Sequence, residues 1–374
     1  MENTVTTNTV SENPLVNLIG TLNQQQAQKN DIVTKGAKIT YRDGQLWIQE
    51  HGPDFNGFRG YAPTDLCHSQ IAEKLGIPKA YYDRMMKDYP ELLSYNINMW
   101  LAKDERIKYL LRTFNVGTEN MNIARALLSD RFKILDNWDV LHTALKAIKE
   151  MGVKVEITKA CVTEKKMYLH VICPEVEQQA DAFLREYLKH NDAAGNGIIS
   201  GFVISNSEVG LGSFEIRPRA VIVKCNNGLV GTDERFRRVH LGGKMDEGIQ
   251  WSDKTKNKNI ELVMSQTQDA IKTFLSSEYL GTMINKVAEA HNIKLEHPID
   301  TVQHVCKELS FTEAESRDIL NYFLHDGDHS ASGVFQAVTR KAQTLDADKQ
   351  YDVEAAAFGM LGKIKKWDKP FSNN

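Results

Sequence analysis

Between Ala37 and His51 the sequence AKITYRDGQLWIQEH alternates apolar and polar positions on either side of Asp43-Gly44. A period of two gives a strand one apolar face, and Asp-Gly suits a type I′ turn because both central residues take positive φ. The spacing predicts a β-hairpin. From Asp65 the period changes: Leu66, Ile71 and Leu75 share a helical face, Gly76 stops it, and Pro78 opens a second helix with Tyr81, Tyr82 and Met85. Strand-like runs follow at 107–114, 153–158, 167–173, 199–205 and 213–225, interrupted by a helix over 139–151 with Val140, Leu141, Ala144, Leu145 and Ile148 inward.

Beyond about Lys256 the period is 3.6 throughout, with a Thr312/Glu315 capping box ahead of one helix and further helix starts near Ser332 and Val353. The fold class expected is α+β: a largely antiparallel sheet core with packed helices over residues 31–245, then a C-terminal helical lobe over 257–374 with a short disordered tail. Residues 1–30, rich in Asn, Thr and Gln, are expected to be a mostly disordered arm in which Leu15 to Leu22 could dock a short helix. Residues 246–256 are expected to be a flexible loop, part of a Gly- and charge-rich stretch from Gly231 to Asn259.

Composition narrows the function class. The 374 residues are 41% hydrophobic and 25% charged, close to a globular average, and no apolar run approaches the length needed to cross a bilayer. A cytoplasmic protein of a bacterial host cell, with no membrane partner, is expected. Five cysteines without CxxC or Cys/His spacing read as reduced thiols rather than a zinc site or a disulfide framework.

The net charge of −3 argues against attraction of the whole molecule to a polyanion, so a nucleic-acid site has to be a local patch. The densest one lies between Gly212 and Lys244, where Arg217, Arg219, Lys224, Arg235, Arg237, Arg238 and Lys244 face only Glu215, Asp233 and Glu234. In the strand SFEIRPRAVIVKC, Glu215, Arg217 and Arg219 share one face, a row that a single strand could track if that face meets solvent. The alternative is an edge strand protected from aggregation by its charges.

The helix pair at 65–87 has the outline of a helix-turn-helix, but Lys79, Asp83 and Arg84 make a poor base-reading set, so packed helices with the tyrosines in the core are preferred. Asp130, Asp136 and Glu208 are the carboxylates that could gather a magnesium ion. No recognised ligand spacing joins them, and N-cap and turn roles are open to the segments around Asp136 and Asn206. No cofactor, no metal and no catalytic residue is assigned.

Taken in order, LGIPKAYYDRM, NINMWL, LLRTF, ARALLSDRFKILDN, SGFVISNSEVGLGSFEIRP, KCNNGLV and RRVHLGG resemble the phage- and plasmid-borne domain-of-unknown-function 932 family over residues 60–245. The resemblance centres on Arg125 to Asp130 and Ser205 to Gly210. It implies a component of mobile genetic elements and brings no catalytic residues with it. The function expected is a single-stranded DNA-binding, strand-annealing protein working as a homo-oligomer, with Phe311, Tyr322 and Phe323 among the candidate subunit contacts. The alternative is a metal-dependent nuclease or anti-defence protein using Asp130, Asp136 and Glu208.

Overall fold

The computed structural model describes residues 13–51, 56–103, 105–116, 122–179, 197–222, 228–230, 236–238 and 253–371. The chain begins with α1 (Pro14–Gln28) and β1 (Lys29–Lys35), followed by β2 (Ile39–Arg42), β3 (Gln45–His51) and β4 (Asn56–Pro63). Three helices come next: α2 (Asp65–Leu75), α3 (Lys79–Asp88) and α4 (Pro90–Ala102). After β5 (Lys108–Phe114) and β6 (Asn122–Ser129), these strands form a six-stranded sheet of order β1-β5-β6-β4-β3-β2, antiparallel except for the parallel pair of β4 and β6.

The hairpin forms as the alternation requires. Asp43 and Gly44 take φ of 52° and 74°, and Arg42 pairs with Gln45 across them. The alternating Ile39, Tyr41, Leu46 and Ile48 then face α2 to α4 in one core. Within it Tyr82 is buried while Tyr81 is exposed, so only one of the two tyrosines fills the role the sequence suggested.

The second sheet follows α5 (Asn137–Met151). It comprises β7 (Glu156–Val162), β8 (Met167–Gln179), β9 (Gly197–Asn206), β10 (Phe214–Ile222) and β11 (Gly228–Val230) in order, with β12 (Phe236–Arg238) also paired to β10. One face packs against α1, α5 and α6 (Asp253–Phe274) through Leu18, Leu22, Val140, Leu141, Leu169, Phe202, Ile216 and Ile271. The helical lobe continues with α7 (Ser277–Asn292), α8 (Pro298–Glu308), α9 (Glu313–Asp326), α10 (Ala331–Ala342) and α11 (Ala347–Met360). The Thr312/Glu315 capping box is formed at α9. The α+β sheet core followed by helices is therefore the architecture found.

Two boundaries and one set of candidate contacts differ from expectation. Residues 14–28 of the supposed arm are a helix, because Asn13 caps it, Pro14 starts it, and Leu18 and Leu22 one turn apart bury against the second sheet. Residues 1–12 lie outside the described residues, as do 246–252 of the expected loop, whose last residues 253–256 already belong to α6. Phe323 is fully buried, and Phe311 and Tyr322 pack on the same helical core, so this set belongs to the lobe's interior rather than to a free surface.

Candidate functional site

Two charged assemblies occupy the faces of the sheets. The first lies where the sheets meet. Arg112 on β5 is fully buried; its Nη2 donates to Asp136 Oδ1 at 2.5 Å, its Nε to Asp31 at 3.1 Å and its Nη1 to the Glu208 carbonyl at 3.2 Å. Asp136 also accepts from Lys29. Arg125 Nη1 donates to Glu208 Oε2 at 2.8 Å and stacks over Phe114 at 4.2 Å, while Glu208 Oε1 accepts from the Asn137 backbone N–H at 2.6 Å.

Asp136 thus stands at the N-cap of α5 but makes no side-chain cap bond; Glu208, from a distant loop, receives the Asn137 amide instead. Burial opposes ionisation of Asp136, yet Arg112 and Lys29 outweigh it and hold the carboxyl below its usual value. Burial and the neighbouring Asp136 charge push Asp139 the other way.

The two sequence signatures meet in this network, and their polar residues fasten one sheet to the other. Asn206 donates to the Leu135 carbonyl and to Asn137 Oδ1, and Gln70 on α2 donates to the Val209 carbonyl while accepting from Leu127 N–H. Gly210 takes φ +82°, and a Cβ there would stand 2.7 Å from Leu128 Cδ2. Gly210→Ala is expected to cost more than about 1 kcal/mol, read as a lower urea midpoint at unchanged m.

The carboxylate trio of the nuclease alternative does not assemble. Asp130 is exposed in the turn after β6, whereas Asp136 and Glu208 are engaged by guanidinium groups. Among the described residues no three His, Cys, Asp or Glu side chains are placed to hold a metal ion. The adjoining cleft, lined by Leu22, Gln25, Lys29, Phe114, Trp138 and Glu208, is an opening of about 200 Å³ with its solvent-open part included.

The second assembly is the outer face of the second sheet. Cross-strand pairing aligns Lys159, His170, Val203 and Arg217 in one row, and Cys161, Tyr168, Ser205 and Glu215 in the next. Arg219 follows beside Gly201, Lys165 and Lys166 sit at the β7–β8 turn, and the register sets Arg237 opposite Glu215. Basic positions recur along three strands. Burial, with Arg219 and Lys159 nearby, holds His170 well below its usual value, so it adds no charge to the face.

This face is covered, which corrects the solvent row expected for Arg217 and Arg219. Helix α11 lies across it. Arg217 pairs with Glu215 at 2.7 Å and stacks over the Tyr351 ring at 4.7 Å. Arg219 is 5% exposed, with Glu354 Oε2 at 3.9 Å from its Nε; neither atom has a hydrogen-bond partner among the described residues. Lys159 donates to Gln350 Oε1 at 2.5 Å, Tyr168 and Thr163 donate to Asp348, and Lys166 faces Asp352 at 3.9 Å. Alternation reveals that a strand has two faces but not which of them another element covers.

Of the other predicted contacts, Arg237 and Arg238 belong to β12, and only their backbone is described. Lys224, Arg235 and Lys244 lie outside the described residues. The residues that sequence reading missed here are Lys159 and Lys166, together with the acidic positions Asp348, Asp352 and Glu354 that oppose the face. The available signal was the set of three carboxylates carried by one helical segment, Ala347–Met360.

The chain matches no family model, and no curated protein or solved structure matches it. Among the described residues no helix is long and apolar enough to cross a membrane.

Proposed function

We propose that the chain binds single-stranded nucleic acid along the outer face of the second sheet, through phosphate contacts from Lys159, Lys165, Lys166 and Arg217, with Arg219 and Arg237 extending the track, whereas the register sets Arg238 opposite Phe214 of the inner face. One observation carries this reading. On that face the described cations Lys159, Lys165, Lys166, Arg217 and Arg219 outnumber the carboxylates of their own sheet, Glu215 on β10 with Glu156 and Glu164 on β7 and its turn, and further counter-charge comes from a separate element, α11. A purely structural sheet face needs no such excess. A face that meets a polyanion does, because each phosphate it neutralises releases a counterion.

Tyr168 lies among the cations and supplies aromatic surface of the kind on which unpaired bases stack. A single strand fits the face better than a duplex: cations spread over adjacent strands can follow a flexible backbone, and no helix of the face is shaped to enter a groove. The mobile-element origin implied by the sequence resemblance suits such a role, with strand annealing as the activity it would serve. Several copies along one strand would add avidity without new chemistry.

An electrophoretic shift series with single-stranded and duplex oligonucleotides over a range of salt, in EDTA, tests this. Single-strand binding should weaken with salt, and Lys159→Ala with Lys166→Ala should reduce the log–log slope by about 0.7 for each phosphate no longer neutralised. Binding indifferent to salt and to both substitutions, or magnesium-dependent cleavage that vanishes in Asp136→Ala, would defeat the proposal.

A further inference from the structure

We infer that α11 is a built-in competitor for the nucleic-acid face, an acidic helix that occupies the cation row in the free chain and is displaced when a strand binds. The inference rests on the binding reading above and adds to it a closed and an open state of the same face.

The contacts between α11 and the sheet are those that a nucleic-acid strand would replace. Asp348 and Asp352, one turn apart, set two carboxylates about 6 Å apart along the helix axis, and Glu354 brings a third to Arg219. Their partners on the sheet are hydroxyl and ammonium groups: Thr163, Tyr168 and Lys166. The Tyr351 ring lies against the Arg217 guanidinium and the Tyr168 ring, with ring centroids of the two tyrosines 5.1 Å apart. Carboxylates stand where phosphates would, and an aromatic ring where a base would.

The fit is also poor by the standard of a permanent core contact. The apolar part is small, formed by Tyr168, Val203, Tyr351 and Ala355 with Cys161 and Ala347 at its margin. Arg219 Nε and Glu354 Oε2 are buried without hydrogen bonds among the described residues, and Gln336 Oε1 of the adjoining α10 is likewise unsatisfied. A buried ion pair without good hydrogen-bond geometry contributes little to stability against its desolvation cost.

The lobe as a whole is held elsewhere. Its main core joins α7 to α11 and reaches the sheet through Ile198, Ala220 and Val176 at the opposite end of the strands. α11 itself enters that core through Val353, Ala357 and Phe358 and pairs Lys349 with Glu315 of α9, so opening draws its first two turns off the sheet and breaks the Lys349–Glu315 pair while Ala357 and Phe358 keep the helix in the lobe. If the open form makes up about 1–10% of the free chain, closure weakens binding by about tenfold to a hundredfold relative to the open form.

The test is a reversible lock. Thr163 Oγ1 and Asp348 Oδ1 lie 3.1 Å apart across the contact. Thr163→Cys with Asp348→Cys, in a Cys161→Ser background, places a disulfide there, and its formation is checked by mass spectrometry. With a fluorescent oligothymidylate as probe, the oxidised protein should bind at least tenfold more weakly than the same protein after reduction. Equal affinity of the two forms, with the strand bound by both, overturns the competitor and leaves the binding reading standing. Absence of binding by the unmodified full chain at low salt overturns both. A second measurement needs no substitution: amide exchange over residues 347–360 should accelerate when the unmodified chain binds oligothymidylate, and protection or no change there would also overturn the inference.

Discussion

Arg112→Ala should be among the most damaging single substitutions in this protein, with an expected loss of about 3–5 kcal/mol. The guanidinium is buried and satisfies Asp136, Asp31 and the Glu208 carbonyl together, so its removal leaves two carboxylates with only Lys29 between them at the junction of the two sheets. Against a typical total of about 5–15 kcal/mol, that is a large fraction. Urea unfolding at neutral pH measures it.

The pH dependence has a defined sign. The folded-state pKa of Asp136 lies below its unfolded value, so the stabilisation is complete above the unfolded value, near 4, and is lost as pH falls through the folded one. The wild-type chain should therefore lose stability on acidification below about pH 4, and Arg112→Ala should flatten that part of the curve. An acid limb unchanged by the substitution would show that the pair is not the source.

The second large effect concerns Arg219. Arg219→Met alone leaves the Glu354 carboxylate buried beside no cation, at an expected cost of about 3–5 kcal/mol. Adding Glu354→Gln keeps the acceptor for Gln343 and Gln350 while removing the charge, and should return the protein to wild-type stability or above. Calorimetric or urea unfolding of both variants decides it. A single variant as stable as the parent at neutral pH would contradict the pairing. If the double variant is as stable as the parent, the charges at this contact are kept for something other than holding the fold.

Much of the architecture could be read from spacing alone. Asp43-Gly44 fixed one hairpin because its turn chemistry and its flanking alternation agree, and Thr312/Glu315 marked a helix start for the same local reason. The charged face of the second sheet was legible only in part. Arg217 and Arg219 were correctly placed on one side of β10, but their burial depends on Tyr351 and Glu354, far along the chain, and no local pattern links the two segments. Asp136 shows the same limit: its position before α5 invited a capping role, while its partners Arg112 and Lys29 come from β5 and β1. The docking of Leu15 to Leu22 was legible, but α1 runs on to Gln28 through a Gln-rich stretch whose composition reads as a mobile arm.

The strand order of the first sheet sets a timetable for the growing chain. β2, β3 and β4 are consecutive neighbours and can pair as soon as they are made, but β1 waits for β5, with Lys29 meeting Phe114 and Lys35 meeting Lys108. Contacts so distant in sequence close slowly, since the loop entropy is spent before the pairing returns anything. Until then Ile32 and the leucines of α1 have no partners in the nascent chain, and an unpaired strand edge beside exposed apolar groups is an invitation to aggregation. The segment synthesised early is thus laid down late, and it is the stretch a chaperone would have most reason to hold.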